Sequence, residues 1–288
     1  MYASPFRYHR ASSIAEARQL LATNPGAKLL AGGHSLLPLM KLRLANPDVL
    51  IDIGSVAELK GITPTSDGFR IGAATTHAAI AASAELRAGC AVVAATAGRI
   101  GDPAVRNRGT IGGSLAHADP GADLPGVLVA LGATIEVMGT GGTRTIPSNE
   151  FFQGLMTTAL ADAELVTAVN VRRLGKGEGA AYAKFAHPAS RYAVIGAAAC
   201  LTVEKGTCAG ARVVASGLVD RPTILPSVEK ALGGTRLDEA AITAASARAA
   251  EDLGGDLLGD IFASVEYRRA VAGTYVARAL REAARQAS

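Results

Sequence analysis

Two Gly-Gly pairs, each followed by small polar residues, mark the places in this 288-residue sequence where the main chain could meet a charged ligand. Ala31-Gly32-Gly33-His34-Ser35 ends the apolar run Lys28–Ala31. Gly112-Gly113-Ser114 follows Arg108–Ile111, inside the stretch RIGDPAVRNRGTIGGSLAHADPGADLP from Arg99 to Pro125. Each reads as a few strand-like residues running into a tight turn. Glycine reaches positive φ without a Cβ clash, so such a turn can aim successive N–H groups at one anion and let it approach the backbone closely. One pair alone is most often only a turn. Two pairs of one design argue for a shared diphosphate cradle.

Other chemistries find less support. His34, His77, His117 and His187 form no metal signature: His117-x-Asp119 could face one way from an extended segment, but no third ligand follows at usual spacing. Ser114, His117 and Asp119 contain the residue types of a hydrolase triad but lack the G-x-S-x-G elbow. The G-x-G-x-x-G dinucleotide fingerprint and the Walker signature are both absent, which argues against NAD or ATP as the principal ligand. Cys90, Cys200 and Cys208 form no CxxC pair and are too few for an iron–sulfur cluster, so they read as small buried residues and any cluster must sit on another chain.

The net charge of +4 comes from scattered basic residues, without the basic arm or aromatic patch of a nucleic-acid binder. A pI near 9.1 suits an anionic cofactor. With 49% hydrophobic residues and a mean hydropathy of +0.25, the chain is more apolar than most soluble domains, largely through alanine, a composition suited to close helix packing and buried subunit contacts. The longest apolar run, Tyr192–Val203, falls short of the ~20 residues of a membrane-spanning helix. MYASPFRYHR carries no hydrophobic signal region, so a cytoplasmic protein is expected.

The elements that must position these residues follow from patterning. Ser13-x-x-Glu16 reads as a capping box opening a helix through about Leu21, ended by Asn24-Pro25-Gly26. Lys28–Ala31 is a short buried strand, Leu36–Leu44 a helix and Val49–Ile53 a strand, making 1–53 a small α/β unit. Lys41 and Arg43 on that helix either lend positive charge to the diphosphate or form a solvated face. Phe69–Ala73 reads as a strand, Thr76–Ala82 and Cys90–Ala97 as helical, and Gly98–Asn107 as a loop. Asp123 is placed to cap a helix over Leu124–Leu131. Thr134–Met138 and Thr143–Ile146 form a hairpin, and Leu165–Val171 is a strand. A boundary near Leu174–Gly179 divides a unit of residues 1–175 (parts 1–53 and 54–175) from 176–288. The latter holds strands at Tyr182–Phe185, Tyr192–Val203 and Ala209–Ser216, then helices at Val228–Leu232, Asp238–Leu253 and Val265–Ala284.

The strings AGGHSLLPLMKLRL and RNRGTIGGSLAHADPGADLP resemble the two flavin-binding segments of the FAD subunit of molybdenum hydroxylases, the carbon monoxide dehydrogenase and xanthine dehydrogenase family. The order from SPFRYHRASSIAEARQLL through KFAHPASRYAVIGAAA to VEYRRAVAGTYVARAL extends the resemblance over nearly the whole chain. It implies an α+β protein with the vanillyl-alcohol-oxidase-like (PCMH-type) FAD-binding fold and a C-terminal domain of antiparallel sheet plus helices.

Carried over by position, the resemblance implies that Ala31, Gly32, Gly33, His34, Ser35 and Leu36 surround the FAD diphosphate together with Thr110, Ile111, Gly112, Gly113 and Ser114. Ile100 matches an apolar position near the flavin, and Asp123 a carboxylate that hydrogen-bonds the cofactor on the ribityl side. Leu165, Val166 and Lys184 match further contacts, and Tyr192 a position near the isoalloxazine ring. Each also has a plain structural role: Asp123 as cap, Ile100 and Val166 as core, Tyr192 as strand filling, Lys184 as surface. The implied protein is a medium subunit binding FAD non-covalently, without an acid–base dyad of its own. A small 2Fe-2S subunit and a large molybdenum-cofactor subunit complete a dimer of heterotrimers, and an external acceptor (quinone, NAD or other) takes the electrons. By analogy, the AGGHS form points to the carbon monoxide dehydrogenase branch. Two alternatives stay open, a free-standing FAD oxidase and a non-catalytic scaffold of the same fold.

Overall fold

The computed structural model describes residues 2–255 and 257–288. Three layers of structure follow one another along the chain. The first contains β1 (Arg7–Arg10), α1 (Ile14–Thr23), β2 (Lys28–Leu30), α2 (Leu36–Lys41) and β3 (Val49–Asp52). Its three strands are all parallel, in the order β1-β3-β2, so their carboxyl ends (Arg10, Leu30 and Asp52) lie side by side. Ser13 caps α1, accepting the Glu16 N–H at 3.1 Å, while the Glu16 carboxylate reaches back to the Ser12 N–H at 2.7 Å rather than to that of Ser13. The helix after β2 is shorter than patterning suggests. It ends at Lys41, and Arg43 lies beyond it with φ 60, so it is not a helical residue flanking the first glycine loop.

The second layer contains β4 (Ile62–Pro64), β5 (Gly68–Gly72), α3 (His77–Ala82), α4 (Ala84–Gly89), α5 (Ala91–Ala97), α6 (Pro103–Arg106), α7 (Ile111–His117), α8 (Asp123–Leu131), β6 (Thr134–Gly139), β7 (Gly142–Pro147), α9 (Ser148–Phe151), β8 (Phe152–Gly154), β9 (Thr157–Thr158) and β10 (Leu165–Arg172). An antiparallel sheet runs β4-β5-β10-β6-β7. The segment 98–107, expected as loop, includes α6: Asp102 caps it through the Val105 N–H at 2.8 Å, and Pro103 supplies a preset first-turn φ. Every residue of α8 is buried, because the run Leu124–Leu131 is apolar on all sides and must be covered on all sides.

The third layer is an antiparallel sheet of β11 (Glu178–Ala186), β12 (Ala193–Glu204), β13 (Thr207–Ser216) and β14 (Thr223–Ile224), with α10 (Pro226–Leu232), α11 (Glu239–Ser246) and α12 (Val265–Ala287). One face receives α8 and the other α12, whose Ala272, Val276, Ala279, Leu280 and Ala283 are buried. The contact is close enough that a Cβ on Gly179 would lie 2.0 Å from the Ala283 carbonyl oxygen. Much of the alanine content therefore serves packing within the chain, which removes alanine richness by itself as a sign of a subunit interface.

Candidate functional site

The first glycine segment leaves the carboxyl end of β2. Gly33 has φ +77, in the left-handed region that glycine adopts without strain. Among the described residues no acceptor meets the backbone N–H groups of Gly32, Gly33, His34 and Ser35. Ser35 precedes α2 without a side-chain capping bond, so its hydroxyl is also uncommitted to the helix. His34 is exposed, with Nδ1 at 3.2 Å from the Gly32 carbonyl oxygen. Leu36, the first residue of α2, is half-buried. Four free donors in sequence around the positive-φ Gly33 make a concavity suited to an anion.

The second segment differs, which corrects the reading of two turns of one design. Neither Gly112 nor Gly113 has positive φ, and both lie inside the first turn of α7. Thr110 caps that helix, its hydroxyl accepting the Gly113 N–H at 3.1 Å. The N–H groups of Ile111, Gly112 and Ser114 go to the carbonyls of Thr75, Ala73 and Thr110. Gly112 is glycine because a Cβ would lie 2.5 Å from Ala73 Cβ, so close approach of α7 to the end of β5 requires it. Ile111 is fully buried and faces the core. Gly113 is exposed, and a Cβ on it would meet only the Thr110 hydroxyl, at 2.8 Å.

The two segments form one wall. A Cβ on Gly32 would lie 2.1 Å from the Arg108 carbonyl oxygen and 2.9 Å from Gly109 Cα, so main chain abuts main chain. Behind this seam the His77 N–H donates to the Gly109 carbonyl at 2.9 Å. The His77 ring is buried, its Nδ1 has no partner among the described residues, and burial pushes its pKa down to about 4. A cleft of about 640 Å³ opens beside the seam, lined by Gly32, Arg108 and Thr110 together with Arg10, Asp52 and Lys60. Arg10 and Asp52 sit at the carboxyl ends of parallel strands, where open α/β sheets present ligands with backbone groups. Parallel order was not legible before pairing was known, so Arg10, Asp52 and Lys60 went unnoticed.

The remaining candidates divide. Asp123 is the first residue of α8 and does not cap it. Its carboxylate accepts from the Tyr182 hydroxyl at 2.7 Å and from Lys184 Nζ at 2.8 Å. Lys184, open to reading as surface, has a side chain only 2% exposed against 4% for Asp123. Burial raises the Asp123 pKa, while the Lys184 charge and the two hydrogen bonds oppose the rise. Lys184 also lies 3.5 Å from the Arg99 carbonyl oxygen, next to half-buried Ile100. Tyr192 is exposed at the mouth of this group. Its pKa is raised by burial of the hydroxyl and by the nearby Asp119 carboxylate, with Ser35 of the first segment acting the other way. Leu165 and Val166 are core residues of β10 paired with Met138 and Val137. They reach the wall only indirectly: Ala73 donates to the Thr167 carbonyl and accepts from Gly112. Tyr182 was missed, although its spacing from Lys184 on a strand places both side chains on one face.

Chemically, the arrangement can hold an anion against free N–H groups and a Cβ-free surface, with a buried ion pair nearby. Among the described residues no cluster of His, Cys, Asp or Glu could hold a metal, and all three cysteines are buried and unpaired. No helix of the described residues is long and apolar enough to cross a membrane.

Residues 4–172 match the family model of the FAD binding domain in molybdopterin dehydrogenase, and 180–283 that of the CO dehydrogenase flavoprotein C-terminal domain. The carbon monoxide dehydrogenase medium chain of Afipia carboxidovorans is 37% identical over 98% of each chain. The nicotine 6-hydroxylase medium subunit of Paenarthrobacter nicotinovorans is 36% identical over 96% of each, so relatives with different named substrates match equally well. A crystal structure of the Cu,Mo-CO dehydrogenase in its cyanide-inactivated form superposes with a TM-score of 0.94 at 36% identity, covering 99% of this chain and 100% of that one. The chain has the α+β PCMH-type FAD-binding fold and belongs to the family of FAD-binding flavoprotein subunits of molybdenum-containing dehydrogenases.

Proposed function

We propose that this subunit holds FAD non-covalently with its diphosphate against the seam between the two glycine segments, and that it passes electrons from a partner's 2Fe-2S clusters to an external acceptor. The observation that carries the reading is the seam itself: four unpaired N–H groups run from Gly32 to Ser35, and Gly32 lies in main-chain contact with Arg108 and Gly109, which lead into the second segment with its exposed, Cβ-free Gly113. The first segment supplies the donors, with the Ser35 and Ser114 hydroxyls beside them, and the second supplies close approach. Ala31, Leu36, Thr110, Ile111 and Gly112 shape the backbone of the wall. Ile100, Asp123, Lys184 and Tyr192 lie on the flavin side, and Leu165 and Val166 support it from β10. FAD, when bound, supplies the exchange of one or two electrons between donor and acceptor. The chain's own work is to bind and orient, which fits the lack of an acid–base dyad. His34 is exposed beside the loop but makes no covalent link in this reading, so acid precipitation should leave the flavin in the supernatant.

The partners in this reading are a small 2Fe-2S subunit and a large molybdenum-cofactor subunit, assembled as a dimer of heterotrimers around the 1–175 and 176–288 units. Substrate is oxidised on the molybdenum subunit, which explains why medium subunits from carbon monoxide and nicotine enzymes resemble this chain alike. The test is to purify the chain alone and follow reduction of its bound FAD by carbon monoxide, purines, aldehydes and N-heterocycles, then to add the partner chains. Reduction should need the partners. Rapid bleaching by any of these reductants without them would favour a free-standing oxidase, and a folded protein that takes up no flavin would favour a scaffold.

A further inference from the structure

The Asp123–Lys184 pair sits where α8 of the second layer meets β11 of the third, and a third residue, absent from the family-derived site, closes it from behind. The Tyr182 hydroxyl donates to one Asp123 oxygen at 2.7 Å while Lys184 Nζ donates to the other at 2.8 Å, so each carboxylate oxygen has its own donor. Tyr182 and Lys184 alternate on β11 and present their side chains to the same helix. The neighbouring strands keep room for the phenol. Gly196 pairs with Lys184 on one side and Ser216 on the other, and a Cβ on Gly196 would lie 2.5 Å from the Tyr182 hydroxyl and 2.4 Å from that of Ser216. Burial and the adjacent carboxylate hold the phenol well above its ordinary pKa, which keeps it a donor at neutral pH. Arg99 donates to the Tyr182 carbonyl at 3.1 Å, tying the same residue to the segment that carries Ile100.

We propose that Tyr182 is a positioning residue of the flavin site: by holding one oxygen of Asp123 it fixes the carboxylate's orientation and, through it, the Lys184 ammonium beside the cofactor. The inference rests on the FAD reading above. A buried carboxylate with two fixed donors keeps one geometry, whereas one with a single donor can swing with its partner. Tyr182 does not touch the cofactor in this account; it acts through Asp123.

The test is a double-mutant cycle on the full chain, stripped of flavin and titrated with FAD by fluorescence, using Tyr182→Phe, Asp123→Asn and both together. Tyr182→Phe keeps the ring and removes only the donor. It is expected to weaken FAD binding roughly tenfold, the scale of one hydrogen bond to a charged group. In the Asp123→Asn background the same change should add less than a twofold effect. Wild-type affinity in Tyr182→Phe, or a full tenfold loss on top of Asp123→Asn, would overturn the proposal, since a tyrosine that merely fills the core would act independently of Asp123. Should Tyr182→Phe not fold, Gly196→Ala displaces the same hydroxyl from the front. It should weaken FAD by a similar factor, and unchanged affinity in the folded Gly196→Ala protein would refute the role equally. Failure of the wild-type chain to bind FAD would instead contradict the function proposed above, a separate and recognisable result.

Discussion

The two glycine segments share the letters Gly-Gly and a nearby serine, yet the chain uses them in opposite ways. In the first, glycine serves conformation: Gly33 takes φ +77, and the N–H groups around it have no acceptor in the protein. In the second, glycine serves proximity: Gly112 and Gly113 are ordinary helical residues with their N–H groups already bonded, and what matters is the missing Cβ. One segment is a set of donors and the other a smooth wall. A glycine pair in a sequence therefore states that something must come close, but not whether that thing is a ligand, a neighbouring strand or the residue's own backbone.

The difference can be broken first at the seam. Gly32→Ala places a methyl group 2.1 Å from a backbone carbonyl oxygen, and neither main chain can swing aside as a side chain would. We expect a loss of about 3 kcal/mol or more, read as a drop in denaturation midpoint. An unchanged midpoint would mean that the segments do not abut.

A comparable effect should appear in acid, from His77 behind the second segment. Its folded pKa of about 4 lies below the ordinary histidine value of 6.5, so the unfolded chain binds the proton more readily. Stability from this residue is therefore fully present above pH 6.5 and is lost as pH falls from there to about 4, by roughly 3 kcal/mol in all. Replacing His77 with leucine should flatten the unfolding free energy across that window. If the wild-type and His77→Leu proteins show parallel pH profiles, the buried neutral imidazole is not the cause.

Gly112→Ala should cost less, about 2 kcal/mol, because the new Cβ would approach Ala73 to 2.5 Å rather than 2.1 Å, and α7 is short enough to tilt. Flavin binding should fall with it only as far as the helix moves. A variant that keeps its stability yet loses all flavin would assign Gly112 to the ligand rather than to Ala73.

How much of this was legible beforehand follows the range of the interactions. Local signals read well: the Ser13 cap, the Gly139–Gly142 hairpin, the apolar run of α8 after Asp123 and the spacing that buries one face of α12 are properties of a few neighbouring residues. The site split along the same line. Gly33 was recognisable as a turn glycine, and family likeness pointed to Asp123 and Lys184. Their mutual bond was not visible, because it joins residues 61 apart in sequence through the packing of a helix on a sheet. The α6 turn was lost among breaker residues although Asp102-Pro103 is a good helix start. The seam between Gly32 and Arg108 left no local trace, being a contact of backbones whose side chains play no part.

The central claim, that the second segment is a wall for the FAD diphosphate, turns on Gly113. It is exposed, has no positive φ, and offers a new Cβ no neighbour within 4 Å but the Thr110 hydroxyl, at 2.8 Å, so Gly113→Val should cost about 1 kcal/mol of folding stability through the weakened cap. The decisive measurement is the FAD-to-protein ratio of purified Gly113→Val beside that of the wild type, with thermal unfolding of both as the control for folding. The account predicts a protein that melts cooperatively within a few degrees of wild type and carries less than about a tenth of its flavin, because the added side chain occupies the space of close approach. A Gly113→Val protein with a full complement of FAD would contradict it.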